Sequence, residues 1–472
     1  MPPKDLYSNR LKNEDINSFL TYELDSIHYP APPWVTPSSN QYDVVIIGAG
    51  MAGLTAAAAL KKLGIVNLQI FDQADKGREG PWVTSARMLT LRSSKELVGP
   101  ALDISALTFR TWFERQFGKE RWEELRKIPT TQWMDYLEWL REALQLPIQN
   151  NHLLTGIIPQ EKGLILNIND KVVTTSKLVL ATGRAGYGGS FLPAFIHTLP
   201  SDYYAHTNSY IDFKELKNKK VGIIGAGASG FDAAATALEH GAALVDILLR
   251  RPHLPSINKA ASLNYAGFSE GYYHLSDEQR CISMLECYKN GIPPPVEALE
   301  RVKDFSQFAV KRGIEIRTAK AVNHQVHLET RNGLLTYDFL ILATGFEIDG
   351  RKQPELTSFF DTILLWKDRD VLKNIQHPGW FDQSPYLGGN FQFLEKTPGT
   401  APFLKNVYCF NYAATLSHGL LSGDIPGIST GACRLARGIA SDLFTENWQP
   451  YHHRLEAYQT PELMEDIFHF FH

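Results

Sequence analysis

Two glycine triads carry the chemistry that can be read most directly from the chain. Gly48, Gly50 and Gly53 stand at the spacing GxGxxG, and Gly225, Gly227 and Gly230, with Ser229 between the last two, repeat it in the second half. In a strand–turn–helix unit the first glycine permits the tight turn, the second lets a pyrophosphate approach the backbone, and the third lets helix pack on strand. The helix N-terminus that follows offers unpaired N–H groups and a positive dipole end to phosphate. Asp72, nineteen residues past Gly53, is placed for a carboxylate to take a ribose hydroxyl. In the second unit Arg250 and Arg251, beginning twenty residues past Gly230, stand there instead. Guanidinium forks pair with phosphate oxygens, so this exchange suits a 2′-phosphate and predicts NADPH over NADH.

The elements that must hold these residues can be read around them. Asp43 to Ile47 is an apolar run ending at Gly48, an alanine-rich helix runs to about Leu63, and Gly64 ends it; Leu68 to Phe71 is the next strand. Lys220 onward repeats the plan, with a helix to about His240, Gly241 to end it, and a strand from Leu244 to Leu249. Each half then carries a strand closing in Ala-Thr-Gly, Leu178–Gly183 with Arg184 next and Phe339–Gly345 with Phe346 next. Such junctions recur where backbone passes a flavin nucleotide. The two halves thus hold the same parts in the same order, a nested duplication.

The remainder is less patterned. Residues 1–40 are a polar, proline-containing arm with one short helix, expected to lie on the surface. Residues 108–146 have helical periodicity and four of the nine tryptophans (Trp112, Trp122, Trp133, Trp139), which read as core. Residues 147–182 alternate as a β-meander. Residues 255–310 and 350–400 read as insertions, and Asn406 to Asn411 as a strand. His418 to Gly427 leads into a last helix, with Pro426 at its start and Asp424 beside it. A helix N-terminus aimed at the pyrimidine edge of a flavin would stabilise the reduced anion.

Composition narrows the class. A chain of 472 residues predicts two or three domains, and 44% apolar with 21% charged residues is ordinary for a soluble protein. The net charge of −4 comes with no basic stripe, which argues against nucleic acid and anionic membrane. Cys281, Cys287, Cys409 and Cys433 form no CxxC or CxxxxC pair, so a dithiol reductase is disfavoured and a reducing, cytoplasmic setting is expected. No apolar run reaches membrane-spanning length. No metal is expected.

Beyond these motifs, the chain resembles the flavin-containing and Baeyer–Villiger monooxygenases, the class B flavoprotein monooxygenases. Leu89-Thr90-Leu91-Arg92-Ser93-Ser94-Lys95-Glu96-Leu97 resembles the TNSSKEM segment, with Arg92 in place of its asparagine. Trp82 in Gly80-Pro81-Trp82 resembles the GxW that stacks near the isoalloxazine. His206 fits half of the FxGxxxHxxx fingerprint, Pro200 and Asp202 standing where Phe and Gly are expected. The resemblance implies FAD on Gly48, Gly50, Gly53, Asp72, Trp82, Gly183, Gly345 and Asp424, and NADPH on Gly225, Gly227, Ser229, Gly230, Arg250 and Arg251. Arg92 and His206 become the candidates for tuning the flavin.

The fold implied is α/β: two Rossmann-like domains, with the NADPH domain (216–340) inserted into an FAD domain (41–215 and 341–472) that carries a helical insertion at 105–147 and a Pro/Gly/aromatic insertion without clear period at 350–400. The activity implied is an NADPH-dependent monooxygenase in which oxygen adds to the reduced flavin at C4a and one atom passes to a small amine, sulfide or ketone. Three alternatives stay open: an NAD(P)H oxidase or reductase on this scaffold, an aromatic-ring hydroxylase, against which the separate NADPH-type unit of Gly225 to Arg251 counts, and a non-catalytic flavin-binding protein. Neither the substrate nor the oligomeric state, a homo-oligomer being one option, can be read.

Overall fold

The computed structural model describes residues 14–36 and 40–462. Residues 1–13 and 37–39 of the expected arm therefore lie outside the described residues. Two parallel sheets organise the chain, each around one glycine turn. In the first, Tyr42–Ile47 lies between Leu68–Phe71 and Lys171–Leu180, parallel to both, and Val407–Cys409 adds in parallel to Lys171–Leu180. Leu154–Pro159 and Leu164–Ile168 extend this sheet as an antiparallel meander. In the second, Lys220–Ile224 lies between Leu244–Leu249 and Phe339–Leu342, with Phe308–Arg312 and Tyr204–His206 at the two edges, all parallel. The chain thus adopts the expected α/β class with two dinucleotide-type units.

Central strands buried on both faces must be apolar throughout, which is why Val44, Val45, Ile46, Val221 and Ile223 show no exposed surface. The helices Met51–Lys62 and Ala228–Glu239 pack on these strands with alanine-rich faces, and Gly64 and Gly241, both at positive φ, terminate them as read.

The aromatic helices Phe109–Phe117, Lys119–Glu124 and Thr130–Ala143 bury Trp112, Trp122 and Trp133 to 2% exposure or less around Phe109, so these rings are core. The described part of the arm lies on the first unit: the Trp34 indole donates to Leu63 O at 2.6 Å, and Arg454 Nη2 donates to Trp34 O at 3.0 Å. Residues 350–400 are short 3₁₀ turns and isolated bridges, which leave no period for a sequence to display. Among the described residues, no helix is long and apolar enough to cross a membrane.

Candidate active site

The two glycine turns are built alike, atom for atom. Gly48 has φ +104° and Gly225 +110°. A Cβ on Gly48 would sit 2.4 Å from Ala181 O, and one on Gly225 2.3 Å from Ala343 O. Each turn is therefore pressed against the end of its own Ala-Thr-Gly strand. A Cβ on Gly53 or Gly230 would lie 1.8 or 2.2 Å from the carbonyl oxygen of Gly48 or Gly225. The second glycines differ. Nothing lies within 4 Å of a Cβ built on Gly227, and on Gly50 the nearest atom is Gly80 Cα at 3.8 Å. Protein packing dictates the outer glycines and leaves the space over the middle ones open, as a pyrophosphate requires.

The helix starts fit the same groups. The helices beginning after Gly50, Gly227 and Gly427 have no side-chain cap, a feature they share with Lys119–Glu124, Thr130–Ala143 and Val296–Val302. What sets the starts after Gly50 and Gly227 apart is the open space over those two glycines. Uncapped N–H groups facing a groove are anion sites. The residues present therefore fit two dinucleotides.

Asp72 is buried, its Oδ2 accepting from Ala49 N at 2.6 Å and its Oδ1 from Ala74 N at 2.7 Å. Burial raises its pKa while the two amides oppose the rise. Each oxygen keeps a lone pair for a ribose hydroxyl. The loop of Trp82 faces the first turn, since Gly80 is the neighbour of Gly50; Trp82 stands edge-on to Trp133 with centroids 6.0 Å apart. In the second unit, register pairs Ile224 with Leu248 as it pairs Ile47 with Phe71, so Leu249 occupies the place of Asp72 and Arg250 follows it. Arg250 and Arg251 are exposed; Arg251 Nη1 donates to Asn290 O, and Arg250 has no partner among the described residues. Ser229 is exposed in the first turn of its helix.

Gly183 and Gly345, at φ +70° and +82°, have nothing within 4 Å of a built Cβ. Close to both, a cavity of about 250 Å³ opens between Arg184, Gly345, Phe346, Trp380 and Tyr412. The Arg184 guanidinium lies over the Tyr412 ring, 5.0 Å from its centroid, and stands 3.6 Å from Asp424. Sequence reading quoted Arg184 only as the end of a motif and missed Tyr412 and Trp380; their one signal was an arginine directly after an Ala-Thr-Gly strand.

Arg92 reaches toward the same region. Its Nη2 donates to Pro293 O at 2.9 Å, and its charge faces Asp232, Arg184, Asp424 and Glu297. Burial lowers its pKa, which leaves a guanidinium charged. Asp232, two residues past Gly230 and unremarked in the sequence, is buried, and burial lifts its pKa to about 6 against the pull of Arg301, Arg92 and Arg87. His206 is buried at the edge of the second sheet. Its Nδ1 accepts from Asn208 N at 3.0 Å, and Nε2 lies by the Gly345 backbone without a well-formed hydrogen bond. Burial lowers its pKa, so the imidazole is neutral. Arg92 thus interacts with Arg184 and Asp424 without lining the cavity, while the His206 ring stands 6.0 Å from that of Phe346. All four cysteines are free and three are buried.

Known proteins resemble this chain in sequence and in fold. A sequence model of the pyridine nucleotide-disulphide oxidoreductase family matches residues 45–266. The FAD-dependent urate hydroxylase of Xanthomonas campestris pv. campestris is 36% identical over 447 residues, 93% of this chain and 94% of that one. Ornithine hydroxylase from Pseudomonas aeruginosa superposes with a TM-score of 0.67 at 18% identity, over 85% of this chain and 99% of that one. An ornithine N-hydroxylase of Kutzneria sp. 744, solved with reduced FAD, NADP⁺ and L-ornithine, gives 0.63 at 14% identity, covering 85% and 99%. Near-complete coverage at 36% identity places both sheets and the insertions within one lineage. The chain belongs to the family of the FAD-dependent urate hydroxylase.

Proposed function

We propose that this enzyme is an FAD- and NADPH-dependent hydroxylase whose substrate is urate or a closely similar electron-rich oxo-heterocycle. The observation that carries the reading is the 36% identity to a urate hydroxylase across 93% of the chain, insertions included. A ring substrate is thereby preferred to the amine, sulfide or ketone expected from the sequence. A second, NADPH-type unit counted against ring hydroxylation at the sequence level, but a relative of that activity spans nearly all of this chain.

In this reading Gly48, Gly50, Gly53 and Asp72 hold FAD, with Trp82, Gly183, Gly345 and Asp424 along its path. Gly225, Gly227, Ser229 and Gly230 hold the NADPH pyrophosphate, and Arg250 and Arg251 its 2′-phosphate. When bound, the flavin takes electrons from NADPH and activates dioxygen, so that one oxygen atom enters the substrate and the other leaves as water. The chain supplies placement and charge. Arg92, fixed to Pro293 O, holds a positive charge within electrostatic reach of Arg184 and Asp424, where it would act on a developing anion. Neutral His206, with Nδ1 engaged, presents Nε2–H toward the Gly345 junction. Trp380, on the cavity wall, packs perpendicular to Tyr288 with ring centroids 5.9 Å apart.

The test is to reduce the purified flavoprotein with NADPH without oxygen, then admit oxygen with and without urate. NADPH consumption coupled to urate loss, one for one, supports the proposal. Return of oxidised flavin with stoichiometric H₂O₂ and untouched urate would sink it in favour of an oxidase.

A further inference from the structure

We propose that the cavity at the two Ala-Thr-Gly junctions is the seat of a planar anionic substrate, and that Arg184 recognises its charge. The proposal rests on the hydroxylase reading above and adds the residue that selects among substrates. Its foundation is what Arg184 leaves undone. The other arginines around this interface are engaged: Arg301 donates to Arg87 O, Thr236 Oγ1 and Glu239; Arg87 to Ser85 O, Thr207 O and Ser209 O; Arg92 to Pro293 O. Arg184 makes no hydrogen bond among the described residues, and its one ion pair, with Asp424, is long at 3.6 Å. Its side chain is 53% exposed and forms part of the cavity wall. A guanidinium carries five N–H donors in a planar fork. Here the guanidinium is held 5.0 Å from the Tyr412 ring centroid, with its donors available to something that enters.

The walls describe that something. Tyr412, Trp380 and Phe346 offer ring surfaces, Trp380 itself being fixed by contacts with Tyr288 at 5.9 Å and Phe381 at 4.4 Å. A volume of about 250 Å³ suits one or two fused rings and is small for a ligand pocket. Charge decides the sign. Arg184, with Asp424 as its carboxylate, lines the cavity, and Arg92 interacts with both from outside the lining, while Asp232 is shared with Arg301 and Glu297 is paired with Lys127. The surplus next to Arg184 is positive, so the cavity favours a flat anion and disfavours a cationic ring such as an oxidised nicotinamide. Urate at neutral pH is a flat anion with adjacent carbonyl and ring nitrogen acceptors, which a planar fork can take two at a time.

Two variants test this: Arg184→Gln and Arg184→Lys. In each, flavin content, the anaerobic rate of reduction by NADPH, urate KM and kcat, and urate binding to the oxidised enzyme (read from the flavin absorbance) would be measured. For Arg184→Gln the expected result is a urate KM and dissociation constant raised roughly 10- to 100-fold, with flavin content and the reduction rate within about twofold of the parent. Arg184→Lys should recover part of the affinity, since it keeps the charge and loses the fork. An unchanged urate affinity in an active enzyme would overturn the seat and leave the hydroxylase reading standing. Loss of flavin, or slowed reduction with normal urate binding, would overturn it too, by moving Arg184 to the cofactors. If the parent enzyme neither binds nor consumes urate, the hydroxylase reading fails first, and this proposal falls with it.

Discussion

At the scale of single residues, the pair Arg250 and Arg251 is not symmetric. Arg251 already donates to Asn290 O, while Arg250 is free among the described residues. Arg250→Ala should therefore raise the KM for NADPH roughly tenfold or more while leaving that for NADH nearly unchanged, and Arg251→Ala should do less. Steady-state kinetics with both cofactors checks this; equal losses for NADPH and NADH would remove Arg250 from the 2′-phosphate. A second residue, Asp43, concerns stability. It is buried at the start of the first strand, and burial lifts its pKa to about 6, with the Asn67 side chain opposing. A folded pKa above the unfolded value means that the folded state favours the protonated form. Its contribution is full below the unfolded value near 3.8 and is lost as pH rises through about 6. Asp43→Asn keeps the shape and removes the titration. Its stability relative to the parent should therefore improve across that window, by an amount on the order of 2 kcal/mol. Denaturant melts from pH 4 to 7 would reveal it, and a pH-independent difference would refute it. The residues legible beforehand were those whose spacing is fixed by a backbone task, the glycines above all. Asp232 and Arg184 act through neighbours brought from far along the chain, and nothing local marks such neighbours.

At the scale of elements, the glycine turns separate folding from binding. Gly48→Ala would drive a Cβ to 2.4 Å from Ala181 O at a positive φ, a clash of backbone with backbone. It should cost several kcal/mol and yield little folded protein. Gly227→Ala meets nothing within 4 Å and has an ordinary φ of −81°. Its melting temperature should stay close to that of the parent while NADPH affinity falls about tenfold or more, because the methyl group occupies the phosphate approach. Comparing melting temperature with NADPH KM for the two proteins decides the matter; a large drop in stability for Gly227→Ala would contradict it. Both helices, their glycine stops and the meander could be read because burial on a sheet imposes a repeating pattern on them. The 350–400 segment could not, and it supplies Trp380 to the cavity. Its 3₁₀ turns are held by side chains buried one at a time, Trp366 and Phe381 among them, without a face that repeats.

At the scale of the whole molecule, the two sheets are tied across their interface by charged side chains on backbone carbonyls. Arg87 holds Thr207 O and Ser209 O, Arg301 holds Arg87 O at 2.9 Å, and Lys127 pairs with Glu297 at 2.7 Å. Removing Arg87 strips the carbonyl of buried Thr207 and that of exposed Ser209 of a charged donor, so Arg87→Ala should lose roughly 2 kcal/mol and open the 200–215 connection to protease. Limited proteolysis would show new cleavage there, and an unaltered digest would count against the clamp. The sequence displayed two copies of one plan, but not how the copies grip each other, since the gripping residues belong to neither motif. The helix starts at Gly50, Gly227 and Gly427 have a last consequence. Lacking partners of their own, they make the native fold depend on what the cell provides. A flavin at a hundred times its dissociation constant adds about 2.7 kcal/mol, so the melting temperature of the flavin-stripped protein should climb steadily as FAD is titrated in. Where riboflavin is scarce, this enzyme should then disappear by degradation before it disappears by loss of synthesis, its abundance becoming a gauge of vitamin supply.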